Sequence, residues 1–480
     1  MRILFLNPPF KFKISRASRW PEFTKSGTLY YPFWLAYATG VCMQNHEVML
    51  LDAIAKELSE REAIRRVKKF LPDLLVVETS TPTFKNDIKF LEKLRKEIET
   101  KIALVGTHAS VFPEEALKSK AVDFVARKEY DYTILELANT LEKNGNLEKV
   151  LGLSFKKGRK IIHNPERPPI QNLDALPFVS QVYKKFLDVR DYRYALALHP
   201  MIQILSSRGC PNLCVFCSWP QAFISRLYRT RSPKNFVDEL EFIANEMPEI
   251  KEIFIEDDTF TINKQRVVEI CDLIKERKLD IIWSANVRAD IPFSVLKKMK
   301  EAGCRILIVG FESGNQQILN NIKKGITLEQ AEKFTEAAKN AGLKIFGCFM
   351  IGLPGETKET IEQTFQFAKK LNPDMAFFQQ AVPFPGTEFY NWAKQNGYLI
   401  TEDFDKWLDS NGRLDFLVSY QNLTNEELRK IRDNLMLRFY LSPKHVWQTI
   451  THNLSFDEMR RVFNAAKEYF SYLIQTKVKK

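Results

Sequence analysis

The sequence predicts an α/β protein in which an N-terminal doubly wound parallel sheet is followed by a partial (β/α)6 barrel and a helical C-terminal region. Three observations predict it. Short apolar runs alternate with amphipathic stretches through residues 1–142, six more strand-plus-helix units recur within 201–394, and the pattern over 395–480 is helical. Residues 143–200 between them change character and read as a linker.

In the first domain the strand-like runs are 2–9, 47–53, 74–80, 102–108 and 123–129. Ser59-x-x-Glu62 forms a capping box ahead of one intervening helix. The apolar run from Leu29 to Met43 is broken by Pro32 and Gly40 and is too short to cross a bilayer, so it reads as a packed helix. A doubly wound sheet takes ligands beyond the carboxyl ends of its strands. Those ends carry Asn7, Asp52, Thr79-Ser80-Thr81, Gly106-Thr107-His108 and Lys128-Glu129. The chain has neither G-x-G-x-x-G nor a Walker sequence, which disfavours dinucleotides and nucleoside triphosphates.

The linker opens as a β-hairpin turning at Lys157-Gly158 and continues as a proline-punctuated connector over 167–178. The six barrel strands are 201–209, 252–260, 281–290, 305–314, 344–355 and 375–387. Ser232-Pro233 starts one helix; Thr327-x-x-Gln330 opens another that Gly342 closes. Polar clusters fall at the carboxyl ends of these strands, where barrels carry function. After 395 a Thr424-x-x-Glu427 capping box precedes a long helix. The aromatic and basic residues Arg438, Phe439, Tyr440, Lys444 and Trp447 either pack, cover the barrel mouth or meet a lipid surface, and the terminal KVKK (477–480) reads as a frayed tail.

Cys210, Cys214 and Cys217 are spaced x3 then x2 in one loop. Three soft thiolates there suit three corners of a 4Fe–4S cluster and leave one iron open. The alternatives are buried structural cysteines or a zinc site, which needs a fourth ligand closer than His199. Cys42, Cys271, Cys304 and Cys348 stand singly in helix or strand patterns as small core residues. An odd total of seven cysteines argues against a disulfide framework and for a reducing, cytoplasmic setting. The net charge of +12 suits anionic partners or a membrane face, but the basic residues are scattered and point to no nucleic acid.

The cysteine spacing, with Phe216 just before the third cysteine, resembles that of the radical S-adenosylmethionine (SAM) enzymes. With Asn7-Pro8-Pro9 opening the first sheet and VGTHAS, PEE and VDFV following in order, the chain is similar over nearly its whole length to their cobalamin-binding-domain class. The resemblance implies a 4Fe–4S cluster on Cys210, Cys214 and Cys217, SAM chelating the open iron, and cobalamin between the first sheet and the barrel. It places the methionine ammonium near Glu256, Asp257 and Asp258, whose alternative is a solvated acidic loop. Arg288 then pairs with the methionine carboxylate, the alternative being an ion pair with Asp290 or Glu312. Gly310 allows close backbone approach and Glu312 or Ser313 reaches ribose, while Met350 and Gly352, in the segment that matches the G-L-P-G-E-T signature, serve adenine. Thr79, Ser80, Thr81, Gly106, His108 and Glu129 fall to cobalamin. The Asp-x-His-x-x-Gly motif is absent and His108 is followed by Ala-Ser-Val, so no lower axial histidine is expected; a domain that has lost cobalamin is the alternative.

Such an enzyme takes one electron from an external reductant such as flavodoxin or ferredoxin and makes a 5′-deoxyadenosyl radical that removes hydrogen from an unactivated C–H bond. The segments 18–23, 30–40 and 79–87 look similar to the hopanoid enzyme that forms a cyclitol ether, which implies tailoring of a polycyclic lipid; the hydrophobic, basic chain would tolerate work at the inner membrane face. The same segments are compatible with cobalamin-dependent C-methylases and with the anaerobic magnesium-protoporphyrin ester cyclase type. A cobalamin sensor with a dead barrel conflicts with the intact cysteines, and a tRNA methylthiotransferase would need three more N-terminal cysteines.

Overall fold

The computed structural model describes residues 1–24 and 27–451. The first sheet holds β1 (Arg2–Asn7), β2 (Glu47–Asp52), β3 (Leu74–Glu78), β4 (Lys101–Val105) and β5 (Phe124–Ala126), parallel and in the order β2-β1-β3-β4-β5. The order reverses between β1 and β3, the switch point at which such sheets open a crevice. Both faces are covered, so the central strands are continuously apolar, and Leu74, Leu75, Val76 and Val77 are fully buried. The helix Phe33–Cys42 is buried along its whole length, as its broken apolar run predicted.

The hairpin assigned to the linker belongs to this sheet. Strands β6 (Leu153–Lys157) and β7 (Lys160–His163) add antiparallel to β5, with Phe124 opposite Phe155. The sheet is therefore seven-stranded and runs past residue 142. Without the hairpin the three-residue β5 would present an open edge.

The second sheet holds six parallel strands: β8 (Met201–Ile204), then, after the short antiparallel pair β9 (Ser207–Arg208) and β10 (Arg229–Thr230), β11 (Glu252–Ile255), β12 (Trp283–Val287), β13 (Cys304–Glu312), β14 (Lys344–Ile351) and β15 (Met375–Gln380). Each strand pairs with its predecessor, the order of a partial barrel. Most ladders stop short of the predicted ends, because the polar residues there leave the sheet to form the loops of the mouth. Alternate strand residues Phe254, Ile306, Ile308, Phe346, Cys348 and Met375 make one apolar cluster with Tyr30 and Tyr194. The other strand face packs on the helices, with Ile255, Leu307, Val309 and Ile345 in the main core.

Residues 396–424 are largely irregular, held by isolated bridges such as Leu399–Val418 and by an aromatic cluster of Phe404, Trp407, Phe384 and Tyr390. The helix Asn425–Tyr440 then starts on the Thr424–Glu427 capping box and packs on β15, where Tyr440 Oη donates to Ala376 O at 2.8 Å. Phe439 is fully buried and Arg438 pairs with Glu362, so these two residues pack, while Trp447 is exposed. The KVKK tail and the chain beyond 451 lie outside the described residues. Among the described residues no helix is long and apolar enough to cross a membrane.

Candidate active site

The cysteine loop leaves β8 through Ser206 and Ser207. Asp257 accepts from the backbone N and the Oγ of both serines, at 2.6–3.1 Å, so this carboxylate is spent on the root of the loop. That removes Asp257 from the residues free to meet a cofactor. Gly209 follows at φ +86°, and a Cβ there would lie 2.1 Å from Leu227 O, so only glycine fits. Cys210 is buried, Cys214 and Cys217 are half-buried, and Phe216 packs in the core beside them. Val215 N donates to Ile322 O at 3.1 Å and anchors the loop. Burial pushes the thiols of Cys214 and Cys217 up, so they ionise only against a metal.

Among the described residues no three Cys, His, Asp or Glu side chains gather around a single ion. A mononuclear zinc site requires such a gathering, whereas a cubane takes each thiolate on a separate iron. Three thiols on one glycine-rooted loop therefore fit a 4Fe–4S cluster, which Cys210, Cys214 and Cys217 would hold.

Glu256 and Asp258 line the barrel mouth, and a residue from far upstream occupies them. Arg19 Nη1 pairs with Glu256, while Nη2 lies 3.3 Å from the carbonyl oxygens of Glu256 and Asp257 and 3.5 Å from Asp258 Oδ1. The guanidinium stacks 3.8 Å over the Trp219 ring. Burial raises the carboxyl of Glu256 to about 7 and that of Asp258 to about 6, with Arg19 pulling both down. These are buried acids, not a solvated loop.

Arg288 is buried and donates through Nη2 to the carbonyls of Lys324, at 2.8 Å, and Gly325, at 3.2 Å. Neither expected ion pair forms, because Asp290 pairs with Lys264 and Glu312 with Lys324, the latter at 2.6 Å. Glu312 sits at φ +65° in a β-bulge, and a Cβ on Gly310 would fall 2.3 Å from its Oε1. Ser313 is buried against Thr364 Oγ1 at 3.1 Å, turned into the wall rather than toward a ribose. Met350 is also buried; Gly352 N and Leu353 N donate to Glu356 Oε2 at 2.6 and 2.9 Å, which fixes the G-L-P-G-E turn.

On the first sheet, Thr79 Oγ1 and Thr83 Oγ1 donate to Asp87 Oδ2 at 2.8 and 2.7 Å, and Ser80 Oγ bonds Thr83 Oγ1. Arg16 completes this network, pairing with Asp87 and donating to Asn7 Oδ1 and Pro8 O. The hydroxyls of Thr79 and Ser80 are thus spent inside the protein, and of the three residues only Thr81 faces the cleft between the domains. Ser18, Arg19, Pro21, Thr107, Ser218, Phe384 and Pro385 complete that cleft. Gly106, at φ +106°, passes so close to Thr79 that a Cβ would lie 2.3 Å from its carbonyl oxygen. His108 is fully buried among Phe84, Phe112 and Phe404, and burial lowers it to about 3. It is a packed neutral ring and not a ligand at the cleft. Glu129 pairs instead with Arg229, at 2.9 Å, and with Arg208, while Asp131 takes Arg208 at 2.8 Å. These acids tie the first sheet to both arms of the cysteine hairpin. The hydroxyl residues Thr81, Thr107 and Ser218 line this narrow cleft between the sheet end and the cysteine loop. Thr81 and Thr107 would meet a cobalamin held there.

Sequence reading missed Arg16, Arg19, Lys324 and the lumen residues Tyr30 and Tyr194. Arg16 and Arg19 stand in a stretch without period, and their partners lie 71 and 237 residues away. The Ser-Arg-Trp run was a visible signal only as similarity.

A radical SAM sheet joined to a B12-binding sheet is the class that this fold and site define. The Radical SAM superfamily model matches residues 204–368 and the B12 binding domain model residues 22–138. An uncharacterized methyltransferase of Pyrococcus horikoshii is 34% identical over 474 residues, covering 98% of this chain and 99% of that protein. The anaerobic magnesium-protoporphyrin IX monomethyl ester cyclase of Rubrivivax gelatinosus is 27% identical over 421 residues, 85% of this chain and 72% of that one. Among solved structures, the radical SAM methyltransferase TsrM of Kitasatospora setae, with cobalamin and a 4Fe–4S cluster bound, shares the fold at a TM-score of 0.71 and 16% identity, over 92% of this chain and 89% of that one. The chain belongs to the cobalamin-dependent radical SAM enzymes. Its cofactors are a 4Fe–4S cluster, SAM and cobalamin.

Proposed function

We propose that the chain is a methyltransferase, transferring a methyl group from SAM by way of cobalamin to an unactivated carbon of a small molecule or lipid. The observation that carries this reading is the end-to-end similarity to the Pyrococcus methyltransferase, which spans both domains and the C-terminal region. In this reading the bound cluster and SAM supply the 5′-deoxyadenosyl radical, and cobalamin carries the methyl group. The chain itself supplies position and shelter: the Asp257 clamp and Gly209 set the cysteine loop, Glu256 and Asp258 offer anionic partners, and Arg288 offers a cation. Tyr30, Tyr194, Phe254, Ile308 and Phe346 form an apolar cluster on one face of the barrel strands.

The hopanoid cyclitol-ether reading is the weaker one. Two of the segments behind it, 18–23 and 79–87, carry Arg19 and the Thr79–Asp87 network, whose bonds are to other residues of this chain, so internal structural roles account for them without a particular substrate. Anaerobic turnover of reconstituted enzyme with cobalamin, reductant and methyl-deuterated SAM tests the choice. Methyl transfer yields S-adenosylhomocysteine and 5′-deoxyadenosine in equal amounts and a labelled product. 5′-Deoxyadenosine without S-adenosylhomocysteine would instead indicate rearrangement or cyclisation.

A further inference from the structure

The segment 14–24 runs from the first sheet to the barrel mouth and carries two buried arginines. Arg16 is held by a two-pronged pair with Asp87, both side chains fully buried. Three residues on, Arg19 sits on the two carboxylates suited to the methionine ammonium. Its hold is different in kind. Apart from the Glu256 contact its polar contacts are 3.3–3.5 Å long, its side chain keeps 16% exposure, and it forms part of the cleft wall with Ser18 and Pro21. An ammonium approaching Glu256 Oε1 meets the Arg19 Nη1 already paired with it, and two ionised buried acids without any cation carry a large desolvation cost.

We propose that Arg19 is an internal counter-ion that reserves the ammonium subsite and is displaced toward the cleft when SAM loads. Arg19 keeps Glu256 and Asp258 compensated until SAM binds, and the incoming ammonium takes over that task. Because Thr81 and Thr107, just beyond the carboxyl ends of β3 and β4, line the same cleft, the released side chain moves toward the cobalamin side of the molecule. The inference rests on the SAM assignment and not on methyl transfer.

The test is equilibrium binding to the cluster-reconstituted full chain, with SAM and with 5′-methylthioadenosine, which lacks the amino-acid end. Arg19→Gln removes the competitor, so SAM should bind about 3–10-fold more tightly than to wild type while 5′-methylthioadenosine binds unchanged. Unchanged or weaker SAM binding, or an equal gain for both ligands, would overturn the proposal and make Arg19 a permanent strut. A second measurement uses wild-type protein only: phenylglyoxal labelling of Arg19, read by peptide mass spectrometry. SAM should increase the labelling, and a constant or lower yield would overturn the idea. Failure of the methyl-transfer reading appears as missing S-adenosylhomocysteine and leaves these binding ratios intact. Wild-type protein that binds no SAM would sink the cofactor assignment and this inference together.

Discussion

The carboxyl ends of the two parallel sheets use buried charge in opposite ways. On the first sheet Arg16, Asp87, Asn7, Thr79 and Thr83 satisfy one another, leaving a closed polar platform beneath the cleft. At the barrel mouth Glu256 and Asp258 share one cation across a stacked tryptophan, and burial brings both near a neutral titration range. A satisfied network is rigid, while a shared counter-ion leaves acids that a ligand can claim. The difference identifies the first sheet end as scaffold and the barrel end as the place of exchange.

The largest effect expected from breaking this contrast is at the cluster. Cys217→Ala should bring 5′-deoxyadenosine formation below detection and lower the bound iron, read by product and iron analysis, since one corner of the cubane loses its thiolate. Next comes the platform. Arg16→Met leaves Asp87 buried and unpaired, at a cost of about 3–5 kcal/mol in denaturant unfolding. Arg19→Gln should cost less than half as much, because burial already draws Glu256 and Asp258 toward their neutral forms, whereas Asp87 is the acceptor of five hydrogen bonds, two of them from Arg16. Equal losses at the two arginines would erase the distinction between scaffold and exchange site.

Smaller effects sharpen it. Gly106→Ala drives a Cβ against the Thr79 carbonyl at a left-handed φ and should cost about 2 kcal/mol and weaken cobalamin binding, measured by titration of the purified protein. The smallest concerns pH. Glu356, raised by burial from 4.5 to about 8, contributes stability that is complete below 4.5 and lost as pH rises through 8. Glu356→Gln mimics the protonated form, so its stability relative to wild type should rise steadily between pH 5 and pH 9, read from denaturation midpoints.

Much of this molecule was legible in one dimension. Both sets of parallel strands, the capping boxes at Ser59, Thr327 and Thr424, and the Cys210–Cys214–Cys217 loop all come from local pattern, which depends on neighbours a few residues apart. The hairpin 153–163 was legible as a hairpin but not as part of the first sheet, because its pairing to β5 is non-local. Asp257, Ser313, Thr79, Ser80, His108 and Glu129 stand where the motifs put them, yet the fold turns each toward a protein partner or an aromatic cage.

The sequence by itself determined the two-sheet architecture, the thiolate set and the positions in the chain where polar residues end strands. Only the tertiary structure decided which of those polar groups remain available. A strand end is specified by periodicity, but the fate of a buried carboxylate depends on whichever cation is brought to it. For Glu256 that cation is Arg19, a side chain 237 residues away that no local pattern reveals.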